Sequence, residues 1–191
     1  MKREVLKDKK GFTLVELLAT IVILGIIMVI AVPNVMGILS RNRSNTYVED
    51  AKKLATLAEY QVRSNGNVIQ KPATNQCIVL TLSYLDNAEF EDPPYGGEYL
   101  KNISFVVIKK EGNELKYYVQ LFEKYKGTYR GVPLVESSKL VQDGAVNKFV
   151  SNANKSDATS VSSLTTDNFM TFANKFDSGF TCASVNTVYS R

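Results

Sequence analysis

The chain has 191 residues, no histidine, no tryptophan and two cysteines. Without histidine it lacks the commonest general base and metal ligand. It also has no phosphate-binding glycine loop and no CxxC pair, so an enzymatic role, a cofactor and a metal site are not expected. The formal charge of +4 is concentrated in the first ten residues, where Lys2, Arg3, Lys7, Lys9 and Lys10 face Glu4 and Asp8, a net +3; the rest carries about +1, which argues against a nucleic-acid partner.

Directly after this basic leader, residues 12 to 40 carry no charge except Glu16. About 20 apolar residues cross a hydrocarbon layer of about 30 Å, so the segment is long enough for a membrane-spanning helix. The basic leader predicts a cytoplasmic N-terminus with the bulk of the chain outside. A secretory signal has a shorter apolar core and ends in a small-residue cleavage site. Here the run continues into Pro33-Asn34-Val35-Met36-Gly37, a poor site of that kind. A plain signal anchor is one reading of the segment. Glu16 argues for more, because a carboxylate in a membrane span is costly and points to a specific partner.

The run Lys10-Gly11-Phe12-Thr13-Leu14-Val15-Glu16-Leu17 resembles the class III signal of type IV prepilins and pseudopilins. The resemblance covers residues 1 to 65. It implies cleavage by a prepilin peptidase after Gly11, on the cytoplasmic side, and N-methylation of the new terminus at Phe12. It also implies that Glu16, fifth in the mature chain, sets subunit register in a filament by pairing with a neighbouring N-terminal amine. The physics is consistent: glycine before the cut offers a protease a bare backbone. Attraction between an amine and a carboxylate is strong in a low-dielectric layer, although desolvation offsets much of it.

Gly25 and Pro33 interrupt the apolar run. Glycine weakens a helix interior and proline removes a backbone donor, so the pair is read as a kink, although membrane helices tolerate both. By the resemblance, the pair brackets a stretch able to lose helicity in a filament. Beyond Pro33 charged residues appear, while Tyr47, Ala51, Leu54, Ala58 and Val62 recur on one helical face up to the stop signal Asn65-Gly66. A helix from Phe12 to Asn65 would be about 80 Å long at 1.5 Å per residue. A free-standing coiled coil is the alternative, but the stripe is short and rich in alanine.

Residues 66 to 191 suffice for one small domain. A short helix is expected around Ile78–Leu85, and a turn cluster over Asp92-Pro93-Pro94-Tyr95-Gly96-Gly97. Ile103–Lys110 and Glu114–Phe122 read as an antiparallel hairpin around Gly112-Asn113, and a third strand follows over Thr128–Val135, interrupted by Gly131 and Pro133. Ser138–Ser151 is ambiguous, and Asn152–Ser163 reads as an exposed loop. Phe169, Phe172, Ala173 and Phe176 lie on one face of a short helix capped by Thr166 or Asp167 and stopped by Gly179. The lysines around the hairpin (Lys109, Lys110, Lys116, Lys124, Lys126) and Arg130 alternate with Glu111, Glu114 and Glu123, as on a solvated sheet edge. Carboxylates such as Glu89, Glu91 and Asp92 read as an ordinary acidic loop.

In an exported head, Cys77 and Cys182 are expected to form a bridge, as the resemblance implies; two buried thiols are the competing reading. The expected architecture is α+β, a long N-terminal helix spine packed against a small antiparallel sheet. The expected division is leader 1–11, assembly half 12–33, amphipathic half 34–65 and head 66–191. The expected role is a structural subunit of a type IV pilus or pseudopilus, partnered by other subunits, the prepilin peptidase, the cytoplasmic membrane and an assembly platform. The alternative is a monomeric, signal-anchored surface protein whose head binds a ligand.

Overall fold

The computed structural model describes residues 11–85, 90, 92–140 and 150–191. The leader up to Lys10, Glu89, Glu91 and most of Ser138–Ser151 fall outside them. Helix α1 runs unbroken from Leu14 to Ser64, through both Gly25 and Pro33. The chain divides into two compact units, Met1–Ser40 and Arg41–Arg191.

In the first unit every residue from 11 to 40 is exposed, with Leu14 at 82% and Val29 at 76%. In the second, α1 buries Ser44, Tyr47, Val48, Ala51, Leu54, Ala55, Ala58 and Val62. These positions are spaced by three and four residues, so they form one stripe. The five residues of the sequence stripe are all among them.

The head holds, in chain order, β1 (Gln76–Thr81), α2 (Leu82–Leu85), β2 (Glu98–Tyr99), β3 (Phe105–Glu111), β4 (Glu114–Tyr125), β5 (Thr128–Glu136), β6 (Ser151–Ala153), α3 (Lys155–Ala158), α4 (Thr166–Ala173) and β7 (Ser184–Tyr189). Among the described residues the strands form one seven-stranded sheet in the order β6-β5-β4-β3-β1-β7, with β2 paired to β4 beyond the end of β3. All pairings are antiparallel except β1 with β7. The α+β architecture, a long helix against a mostly antiparallel sheet, is therefore what the chain adopts.

Side-chain alternation along the strands separates two cores. Ile78, Leu80, Val106, Ile108, Val119, Leu121 and Val132 meet the stripe of α1. Cys77, Val79, Phe105 and Val107 point the other way, onto Phe169, Phe172 and Phe180. Phe105 meets Phe169 edge to face at 5.3 Å between ring centres, a favoured aromatic geometry. Covering the second face is what the hydrophobic pattern of a simple meander does not announce.

Several expectations are corrected. Residues 78–81 are strand rather than helix; only Leu82–Leu85 is helical. β1 lies between β3 and β7 and is buried on both faces, so its apolar run has no alternation to tell strand from helix. Asn152–Ser163 is not simply an exposed loop: it supplies β6 and α3, and Ala158 is buried. The cap of α4 is Thr165, one residue earlier than expected. Thr165 Oγ1 accepts from the Asn168 N–H while Asn168 Oδ1 accepts from the Thr165 N–H, so an asparagine does the work of the usual Glu or Gln in a capping box. The helix stops at Ala173, with Asn174 as its cap, well before Gly179.

Gly131 and Pro133 do not break β5. A bulge between Val119 and Leu121 of β4 and the facing stretch of β5 accommodates Pro133, and β6 pairs only with Tyr129–Gly131, so the missing proline N–H costs no ladder bond to it. A Cβ on Gly131 would collide with the Leu121 carbonyl oxygen and the Phe122 ring. The preceding turn, Lys126-Gly127, has φ of +47° and +81°, the left-handed pair that joins strands with their native twist.

Candidate functional site

The start of α1 is built by local chemistry. Leu14 is the first helical residue, so Thr13 occupies the cap and Glu16 the third helical position. The Thr13 N–H donates to Glu16 Oε2 at 2.8 Å, and the Thr13 hydroxyl donates to the same oxygen at 2.9 Å. In return the Glu16 N–H donates to Thr13 Oγ1 at 3.3 Å. This is a reciprocal capping box, which satisfies donors that the first helical turn otherwise leaves open. The carboxylate also lies where the positive end of the helix dipole favours it. Glu16 Oε1 takes no hydrogen bond from the described residues.

Two other polar side chains of the segment 12–40 are turned back on the helix. Thr20 Oγ1 donates to the Leu17 carbonyl at 2.8 Å and Asn34 Nδ2 to the Ile30 carbonyl at 3.0 Å. Such internal bonds are what a helix in hydrocarbon requires of its polar groups. Gly11 and Phe12 precede the helix and are exposed. A Cβ on Gly25 would meet nothing within 4 Å, so packing within the chain does not dictate that glycine. The helix from Leu14 contains a window of mean hydropathy 2.9 with the length and composition of a membrane span.

Sequence reasoning used Thr13 only as part of the motif and missed its role. The signal was present, since Thr-x-x-Glu ahead of an apolar run is a capping-box signature.

In the head, Cys77 at the start of β1 and Cys182 just before β7 are joined, with S–S 2.10 Å and Cα–Cα 6.1 Å. The bridge ties two parallel neighbours whose register runs Cys77 to Val185 and Ile78 to Thr187. On the α1 side, Tyr99 donates its hydroxyl to Asp50 Oδ2 at 2.6 Å, and Tyr47 donates to the Arg130 carbonyl at 3.2 Å. Burial raises both phenols well above the usual range, with the Asp50 and Glu123 charges adding to it. Glu123 is 1% exposed, and neither of its oxygens has a hydrogen-bond partner among the described residues. Desolvation pushes its carboxyl up to about 7, against the pull of Arg130. Among the described residues no group of three or more histidine, cysteine or carboxylate side chains is arranged to hold a metal.

Residues 6–32 match the family model of the prokaryotic N-terminal methylation motif. No curated protein and no solved structure matches the chain. The matched segment holds Gly11, Phe12, the Thr13–Glu16 capping box and the first part of the apolar helix. The chain therefore carries, over residues 6–32, the prepilin-type cleavage and methylation signal of type IV pilins and pseudopilins.

Proposed function

We propose that the protein is a structural subunit of a type IV pilus or related pseudopilus. A prepilin peptidase cuts after Gly11, Phe12 becomes the N-methylated terminus, and α1 polymerises the mature chain. Before assembly the subunit sits in the cytoplasmic membrane with its N-terminus inside; afterwards it belongs to a filament outside, with other subunits and an assembly platform as partners. The observation that carries this reading is the methylation motif at residues 6–32, continuous with an exposed apolar helix.

The geometry of Glu16 supports a double role. Both bonds from Thr13 fall on Oε2, which leaves Oε1 for the amine of a neighbouring subunit. The Phe12–Thr13 peptide bond survives cleavage, so the capping box persists in the mature chain. In this reading the carboxylate is satisfied in lipid by its own helix and exchanges bulk hydrocarbon for a cation on assembly. Gly25 to Pro33 is the stretch of α1 that yields first under strain, since Pro33 donates no hydrogen bond to the Val29 carbonyl.

Mass spectrometry of the mature N-terminus tests the proposal. N-methylphenylalanine at Phe12 is the expected result, and a retained Met1 overturns it. Retention of Met1 would favour a signal-anchored protein with a ligand-binding head. The observation on that side is an open pocket of about 660 Å³ whose lining includes Tyr99, Lys101, Lys124 and Tyr129.

A further inference from the structure

We propose that the end of the head where Arg41 begins is a bilayer-facing collar, which binds anionic lipid headgroups through Arg41, Arg43, Lys124, Lys126 and Arg130. The proposal rests on reading residues 12–40 as a membrane span.

The cations of the sheet fall into two groups with different surroundings. At the far end of β4, Lys109 and Lys116 each lie 2.9 Å from Glu111, and together they hold its carboxyl down to about 2. That group is internally neutralised. At the near end the cations lie over tyrosine rings instead: Lys126 at 5.1 Å from the Tyr125 centre, Lys124 at 6.0 Å from Tyr129, and Arg130 and Arg43 at 4.1 and 5.7 Å from Tyr95. A cation held over a ring keeps its full charge. Among the described residues none of the five forms an ion pair, although Glu98 stands opposite Lys124 in the β2–β4 pairing and the buried Glu123 opposite Arg130 in the β4–β5 pairing.

Their position follows from contacts within the head. Tyr47 bonds to the Arg130 carbonyl, and the Ser44 and Tyr95 hydroxyls lie 3.1 Å apart. These contacts hold the β4–β5 turn beside residues 43–47 of α1. Arg41 follows Ser40, the last residue of the uncharged run, and Arg43 is only about 3 Å further along the helix axis. The covalent chain therefore tethers this end of the head at the bilayer surface. Tyrosine rings beside long cationic side chains suit that interface, where an apolar body and a polar tip meet different solvents. Cations gain from an anionic surface only within about 10 Å at ordinary salt, and only this end of the head is tethered so close.

The test uses the full chain in lipid nanodiscs, with a fluorophore at Thr128→Cys, an exposed position; the native cysteines are bonded to each other. The quencher is a phosphatidylcholine with a nitroxide on its headgroup. The discs contain phosphatidylcholine alone or with about 30 mol% phosphatidylglycerol. Each cation engaged favours the surface-bound state by about fivefold. Strong quenching is expected with phosphatidylglycerol and weak quenching without it. The difference should collapse in Lys124→Gln/Lys126→Gln and survive in Lys124→Arg/Lys126→Arg. Equal quenching in the two lipids overturns the collar, as does a phosphatidylglycerol effect untouched by the glutamine pair. Quenching that follows the protein-to-lipid ratio assigns the surface to a second copy of the chain and also overturns it. A chain that does not enter the discs at all instead overturns the membrane-span reading.

Discussion

Thr13 gives both its backbone N–H and its hydroxyl to a single oxygen of Glu16, at 2.8 and 2.9 Å. The carboxylate that is costly to place in a membrane is thus held by the residue three positions before it. Thr13→Val keeps the shape and the backbone bond but removes the hydroxyl, a cap loss of about 1 kcal/mol. Processing should continue, as read by mass spectrometry of the N-terminus. Filament yield should fall, and Thr13→Ser should restore it. Unchanged yield in the valine variant would show that the box does not serve assembly.

Glu16→Ala removes both the cap and the acceptor for a neighbouring amine. The variant should be cleaved and methylated at Phe12 and retained in the membrane, yet form few or no filaments. Normal surface filaments from this variant, in a strain without wild-type subunit, would contradict the assembly role of Glu16.

The Cys77–Cys182 bridge closes a loop across a sequence separation of 105 residues. In the chain-entropy model a loop of that size contributes about 4–5 kcal/mol. Reduction, or Cys77→Ser with Cys182→Ser, should therefore lower the Tm of the head by roughly 10–15 °C. Differential scanning calorimetry with and without reductant measures it. The serine pair should melt at the same temperature in both.

Glu123 sets a pH dependence. Its folded carboxyl is raised from an ordinary 4.5 to about 7, so the folded state holds a proton that the unfolded chain releases. Stability is full below about 4.5, declines as pH rises towards 7 and stays reduced above it. The groups coupled to Glu123 are Tyr47 of α1, Tyr99 of β2 and Arg130 of β5. Glu123→Gln should flatten that window and raise the Tm at pH 8 by several degrees. Identical pH–Tm curves for the variant and the native chain would refute this assignment.

Gly131→Ala places a Cβ against the Leu121 carbonyl and the Phe122 ring, inside the β4–β5 pairing. The backbone has no room to yield without losing ladder bonds, so a cost of about 1–3 kcal/mol is expected. Urea denaturation of the variant checks it, with a lower midpoint at unchanged slope as the expected outcome.

What was legible in the sequence was what local spacing encodes. The stripe from Tyr47 to Val62 has helical period and is buried as a unit. The Glu111–Glu114 turn pairs its flanking residues directly. β1 was illegible because a strand buried on both faces has no alternation. β7 was missed for a different reason: Ser184–Tyr189 is half polar, and its partner lies about a hundred residues earlier in the chain. At the N-terminus the motif itself was readable, and so was Thr-x-x-Glu as a cap. The basic end of the head was not, because its cations come from positions 41–43 and 124–130 and only α1 against the hairpin brings them together.

The bridge between the first and last long-range partners of the sheet has a mechanical consequence. A pull applied between the two ends of the chain passes from Cys77 to Cys182 through sulfur, bypassing everything between them. Some 105 residues, with about 350 Å of contour length at full extension, are thereby withheld from any elongation of the molecule. Outside that loop, α1 with the segment ahead of it, the short connection after it and the last few residues remain to lengthen under load, so the head transmits tension as a closed link.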